Sequence, residues 1–296
     1  MTHFLTELLQ PQRLTAVVDI GANPIDGDPP YLNMLRAGLC SVTGFEPQPE
    51  ALQELQAQAG PLETYLPYAV GDGREHTLYQ CRASGMTSLL RPDPARLAQF
   101  NVFSELGEIT GESRLATRRL DEIDEVSALD FLKIDVQGSE LSVFEHGTQR
   151  LSSAVAVQTE ISFMPLYEEQ PALWQVDRAL RELGLVPHAF AALKRWPLAP
   201  FVQDGDERKP LNQLLEADLV YVRDFTDAAQ MQPEQLKQLA LLAQEVFQSS
   251  DLVYRCLQHL SALGAISSNA PEHYLDHLGN GRPPPPEDDL PVPLGF

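Results

Sequence analysis

The chain has 296 residues, enough for one large α/β domain with additions or for two modest domains. Its 42 acidic against 21 basic residues leave a formal net charge of -21, which opposes nucleic-acid backbones and anionic membrane surfaces as partners. Cys40, Cys81 and Cys256 form no CxxC pair, which argues against a disulfide framework or a cysteine zinc site and fits a reducing cytosol.

The first residues lack the basic-then-apolar order of a signal peptide. No apolar run approaches the roughly 20 residues that cross a bilayer. The expected location is cytoplasmic.

Short apolar runs predict strands at residues 16–20, 41–46, 65–70, 129–134, 154–161 and 219–223. Helical spacing and helix-start chemistry predict helices at 30–37, 49–59, 139–146 and 171–183. Pro49 and Pro171 fit the first turns of two of these, where a missing N–H costs nothing. Strands alternating with helices imply a mostly parallel sheet covered on both faces. Residues 76–81 alternate like a hairpin arm and lead into a loop at 83–88. Residues 92–112 show no clear period, and 194–209 read as a loop-rich insertion. Insertions of this kind often cover the carboxyl ends of the strands.

Past residue 224 the character changes, with helices expected at 233–247 and 251–263. The domain reading is therefore a main domain over 1–224, a helical appendage over 225–268 for packing or homodimer contact, and a tail over 269–296. The tail contains Pro283-Pro284-Pro285-Pro286 and reads as extended.

Two segments carry the chemistry. Val17-Val18-Asp19-Ile20-Gly21-Ala22-Asn23 reads as a buried strand running into a glycine turn, which lets a ligand approach the backbone. Gly44-Phe45-Glu46-Pro47 reads as a second strand ending on an acid that can accept hydrogen bonds from ribose hydroxyls. The turn lacks GxGxxG, and Asp26 and Asp28 stand where a pyrophosphate would need donors. A nucleoside cofactor without phosphates fits better, and S-adenosylmethionine is one. On this reading Gly21 and Asn23 form the turn, and Asp19 orders it or meets the ammonium group. Glu46 takes the ribose diol, and Asp72, after the third strand, meets the adenine amino group.

These segments, with Arg119-Leu120-Asp121 and Leu132-Lys133-Ile134-Asp135-Val136-Gln137-Gly138-Ser139-Glu140, occur in the order found in FkbM-type methyltransferases. Thr87-Ser88-Leu89 and Glu160 also resemble that family, and the resemblance runs over about residues 16–224. It implies a Rossmann-like class I methyltransferase fold, with a mostly parallel seven-stranded sheet, helices on both faces and a C-terminal helical appendage. The implied activity is S-adenosylmethionine-dependent O-methylation of sugar or natural-product hydroxyls. Two features depart from the family: Pro24-Ile25 stand where a glycine usually follows the Asn, and Gln137 stands where an acid is usual.

Methyl transfer is an in-line displacement, and an alcohol must also lose its proton to a nearby base. Asp135, ending the fourth strand, is a candidate base, with an N-cap for the next helix as the alternative. Glu160, on an otherwise apolar strand, is a candidate base, metal ligand or substrate anchor, or one half of a salt bridge. Asp135, Glu140 and Glu160 could together hold a divalent cation. Glu140, however, reads as a first-turn helix acid, and the expectation is a site without metal. Lys133 is expected on the face opposite Asp135. Thr87 and Ser88 are expected to contact a small-molecule or glycan acceptor. Two alternatives stay open: a nucleotide-dependent oxidoreductase, and a non-catalytic binding module that keeps the fold.

Overall fold

The computed structural model describes residues 2–23, 27–226 and 230–279. Seven strands form the main sheet: β1 (Thr15–Ile20), β2 (Cys40–Phe45), β3 (Glu63–Leu66), β7 (Phe131–Ile134), β8 (Ala156–Ser162), β9 (Leu185–Arg195) and β10 (Leu214–Arg223). Their order is β3-β2-β1-β7-β8-β10-β9. All neighbours pair in parallel except β10, which runs antiparallel to both β8 and β9. The chain direction across the sheet reverses between β1 and β7, and the crevice above such a reversal is where open α/β sheets bind ligands. β8, in the middle, is buried at all of its residues, as a strand covered on both faces must be.

Alternating residues feed two layers. Val17, Val42, Phe131 and Val220 face a layer built by α1 (Thr2–Leu9), α2 (Leu32–Arg36), α9 (Pro233–Glu245), α10 (Ser250–Ala262) and α11 (Ala270–Gly279). Val18, Ile20, Leu132 and Ile134 face α6 (Glu140–Glu145), α7 (Thr148–Leu151) and α8 (Leu173–Glu182). The C-terminal helices are thus the cover of one sheet face. α9 buries every residue from Leu236 to Ala243, and its polar members are satisfied by the chain's start. Lys237 donates to the Gln10 carbonyl at 3.0 Å, and the Thr15 hydroxyl donates to Gln238 at 2.6 Å.

Several expectations needed correction. The run 65–70 is two strands in two sheets, because Pro67 has no N–H to continue the ladder. β3 pairs with β2, while β4 (Ala69–Val70) joins β6 (Ile109–Arg118) and β5 (Glu75–Cys81) in a small second sheet. Residues 92–112 hold α4 (Pro94–Leu97), α5 (Phe103–Leu106) and the start of β6. Helices of four residues are too short to show a period. β9 extends through Arg195 into the segment read as a loop; it is the sheet edge, where Pro187 and the exposed Phe190 are tolerated. Pro171 lies two residues ahead of α8 rather than in its first turn.

The start of the expected tail is also helical. In α11 Tyr274 is buried, and its hydroxyl donates to Gln244 at 2.7 Å. The Pro283–286 run lies outside the described residues, as do Pro24, Ile25 and Asp26.

Candidate active site

A cleft of about 390 Å³ opens above the carboxyl ends of β1, β2, β7 and β8. Residues 19–23, 45–48, 133–137 and 158–160 form its floor and walls. Part of the loop between β5 and β6, including Ser84, Thr87 and Ser88, closes over it. Among the described residues lining it, Lys133 is the one cation. That volume suits a small cofactor together with part of an acceptor.

The first turn is glycine for a reason other than ligand approach. Gly21 has φ +79°, and a Cβ there would lie 2.0 Å from the Asp135 carbonyl oxygen. Its role is to let the turns after β1 and β7 cross. The crossing is locked by the Asp135 N–H donating to the Ile20 carbonyl at 3.0 Å. Gly21 and Ala22 N–H groups both donate to the Phe45 carbonyl at 3.1 Å, which ties the turn to β2 as well.

Asp19 sits at the cleft floor, almost fully buried. Its Oδ2 accepts the Tyr31 hydroxyl at 2.6 Å, and its Oδ1 lies 3.4 Å from Lys133 Nζ without a hydrogen bond. Burial pushes the Asp19 carboxyl up, against the pull of Lys133 and Tyr31. Burial pulls the Lys133 ammonium down, but Asp19 and Asp135 outweigh it and hold the ammonium above its usual range. Lys133 was expected on the opposite face from Asp135. Residues two apart on a strand share a face, and Lys133 pairs in register with Asp19, so it belongs to the site.

Glu46, just past β2, is buried at the cleft wall and accepts the Gln48 N–H at 2.7 Å. Burial raises its carboxyl, opposed by that hydrogen bond and reinforced by Asp19. A carboxylate has about four acceptor positions, so capacity for two hydroxyls remains. Asn23 and Asp28 line the same region.

Asp72 does not reach the cleft. Its Oδ1 accepts from His76 Nε2 at 2.8 Å, the Arg74 N–H at 2.9 Å and the Thr117 hydroxyl at 3.2 Å. Burial is the largest single influence and raises its carboxyl, but these bonds and His76 together outweigh it and bring the carboxyl down to about 2. It organises the second sheet, because β4 left the main sheet at Pro67. Arg119 and Asp121 are structural as well. Arg119 Nε donates to the Asp72 carbonyl at 2.9 Å, and Asp121 accepts the Gln149 and Arg150 N–H groups at the start of α7.

Thr87 and Ser88 line the cleft, and both hydroxyl oxygens make hydrogen bonds within the chain. Thr87 Oγ1 accepts the Cys81 N–H at 3.3 Å, and Ser88 Oγ donates to the Gln137 carbonyl at 2.7 Å. Ser88 therefore latches the covering loop to the turn after β7. Gln137 adopts φ +54° and Gly138 φ +98°, which makes that turn tight. The Gln137 amide donates to Asp135 Oδ1 at 2.7 Å and its oxygen receives the Tyr167 hydroxyl at 3.3 Å. A neutral amide can do both, whereas an acid here would add a charge beside Asp135.

Asp135 lines the cleft and does not cap α6, whose N-cap position is Ser139. The turn is held instead by Glu140, which folds back to accept the Val136 and Gly138 N–H groups at 3.0 and 3.2 Å. Burial raises the Glu140 carboxyl to about 7, with those N–H groups opposing and Asp135 adding to the rise. Glu160 enters from β8 and is 5 % exposed. Burial first, then repulsion from Glu216, Asp135 and Glu140, pushes it well above the carboxylate range, with Lys194 opposing. Carboxylate oxygens of Asp135, Glu140 and Glu160 all lie within 4.8 Å of one another.

The family profile described as "Methyltransferase FkbM domain" matches residues 19–186, more than half of the chain. The protein belongs to the FkbM methyltransferase domain family. It is an S-adenosylmethionine-dependent methyltransferase of Rossmann-like class I architecture, and S-adenosylmethionine is its cofactor. The residues present fit that group: Asp19 Oδ1 is a buried oxygen without a hydrogen bond, Glu46 keeps spare acceptor capacity, and the one cation is already paired.

Solved structures give distant likenesses. The magnesium protoporphyrin IX methyltransferase of Synechocystis PCC 6803, solved with bound SAM, is 11% identical with a TM-score of 0.36, over 75% of this chain and 80% of that one. Precorrin-6y C5,15-methyltransferase from Geobacter metallireducens GS-15 is 10% identical with a TM-score of 0.32, over 75% and 88%. A SAM-dependent methyltransferase from Aquifex aeolicus is 11% identical with a TM-score of 0.32, over 73% and 92%. Such distances transfer neither substrates nor site residues. Comparison with the curated proteins gives no match. No described helix is long and apolar enough to cross a membrane.

Proposed function

We propose that this methyltransferase acts on oxygen, methylating a hydroxyl of a small molecule or glycan. The observation that supports this most is the presence of two carboxylates, Asp135 and Glu160, on the cleft wall, next to the region assigned to the cofactor. Glu46 would hold the ribose hydroxyls. Asp19, kept in place by Tyr31 and Lys133, would order the first turn and offer its Oδ1 to the amino-acid end.

S-adenosylmethionine supplies an electrophilic methyl group on a sulfonium when bound. Asp135 or Glu160 would take the proton that the acceptor hydroxyl gives up when its oxygen is methylated. Glu160, with its carboxyl raised, is suited to keep that proton. Tyr167 and Gln137 hold Asp135 and the covering loop in a fixed relation, through hydroxyl and amide bonds to Asp135 Oδ1 and the Met86 carbonyl. Alignment of nucleophile and methyl carbon depends on such fixed walls.

The test is a panel of sugars, aglycones, amines and peptides incubated with methyl-labelled S-adenosylmethionine. Label on a hydroxyl supports the reading, and label confined to nitrogen or carbon overturns it. Asp135→Ala should lower kcat by about 100-fold or more while leaving cofactor affinity nearly unchanged.

A further inference from the structure

The carboxylates of Asp135, Glu140 and Glu160 reach one point from three elements: the end of β7, the start of α6 and β8. Two of the three have donors. Glu140 takes two backbone N–H groups, and Asp135 takes the Gln137 amide. Glu160, only 5 % exposed and aimed into the cluster, receives no hydrogen bond to its carboxylate among the described residues. The nearby cations have close partners of their own, Lys194 in Glu216 at 2.7 Å and Lys133 in Asp19 at 3.4 Å, and the pull of Lys194 on Glu160 does not offset burial and the other carboxylates. A buried carboxylate without a partner is costly, and crowding it against two others raises the cost. Either protons or a cation must settle the charge.

We propose that Asp135, Glu140 and Glu160 form a site for a hard divalent cation of the Mg2+ or Mn2+ class. An all-oxygen donor set with no His or Cys selects such ions over zinc. Asp135 and Glu160 line the cleft and Glu140 stands behind them, so the remaining coordination positions of the ion face the acceptor region. Mg2+ commonly keeps such positions for water or substrate oxygens. An acceptor hydroxyl would enter as one further ligand. That role rests on the O-methylation reading, but binding of the ion itself does not. The expectation of a metal-free site took Glu140 for a first-turn helix acid; it is one, and its side chain also turns inward against the 135–138 turn.

The test uses the full chain with Mn2+ or Mg2+ alone, by calorimetry and Mn2+ electron paramagnetic resonance, without cofactor or acceptor. The expected result is one saturable ion per chain, weakened about tenfold or more in Glu160→Gln and in Glu140→Gln. S-adenosylmethionine affinity of each variant, measured alongside, should stay within about twofold, which checks that the variant is folded and separates the two readings. Absent saturable binding at millimolar ion overturns the proposal. So does binding that is multiple, weak and equal in both variants, as a diffuse attraction to the acidic surface would be. If Mn2+ binds but S-adenosylmethionine does not, the metal site stands and the cofactor assignment fails.

Discussion

At the β1 side of the cleft, buried Asp19 faces Lys133 at 3.4 Å and accepts the Tyr31 hydroxyl at 2.6 Å. At the β8 side, Glu160 is buried almost as deeply, beside two further carboxylates, with no hydrogen-bond donor to its carboxylate among the described residues. The first region is electrically complete within the chain and is built to hold a shape. The second is incomplete and is built to receive something, whether a proton or an ion. On the proposed function, the contrast would divide the cleft into a cofactor floor and an acceptor wall.

The contrast predicts opposite responses to removing a charge. Lys133→Met should give the largest change, because it leaves Asp19 buried without its cation. Urea unfolding should show a loss of about 3–5 kcal/mol, and a loss below about 1 kcal/mol would erase the distinction. Glu46→Ala should come next, weakening cofactor binding by about 10- to 100-fold, since hydrogen bonds to a charged group carry about 1.5–3 kcal/mol. Glu160→Gln should move stability the other way. Without added metal it should raise the unfolding free energy by about 1 kcal/mol, because the amide needs neither a proton nor a cation beside the other two carboxylates. A fall of that size would mean that Glu160 has a structural partner.

Asp72→Asn should have the smallest effect and none on cofactor affinity. The folded-state carboxyl of Asp72 titrates near 2, below its usual 3.8. Its contribution is therefore present above about pH 4 and lost as pH falls through 2. Solvent screening keeps it under about 1 kcal/mol, so the variant should be only slightly less stable than the parent above about pH 4, and the difference should vanish as pH falls through about 2.

The sheet ends were readable because buried strands are near-continuous apolar runs, so an acid closing one, as Asp19, Glu46 and Asp135 do, stands out. The purpose of Gly21 was not readable. Its constraint is the Asp135 carbonyl, more than a hundred residues away in the chain. Lys133 was readable from parity alone, since it shares a face with Asp135. Asp72 was misplaced because strand order does not reveal that Pro67 sends β4 into a second sheet. Asp135, Glu140 and Glu160 could be grouped from the sequence as possible ligands, but their meeting at one point depends on the pairing of β7 with β8 and on the inward turn of Glu140, neither of which has a local signal. β9 was hidden because an edge strand tolerates proline and exposed apolar side chains.

Calorimetric titration of the full chain with S-adenosylmethionine, run in parallel on Glu46→Ala and Asp72→Asn, tests the assignment of the cleft most directly. The account predicts saturable one-to-one binding, at least about tenfold weaker in Glu46→Ala and unchanged in Asp72→Asn. Equal affinity in the parent and Glu46→Ala, or a loss confined to Asp72→Asn, would contradict it.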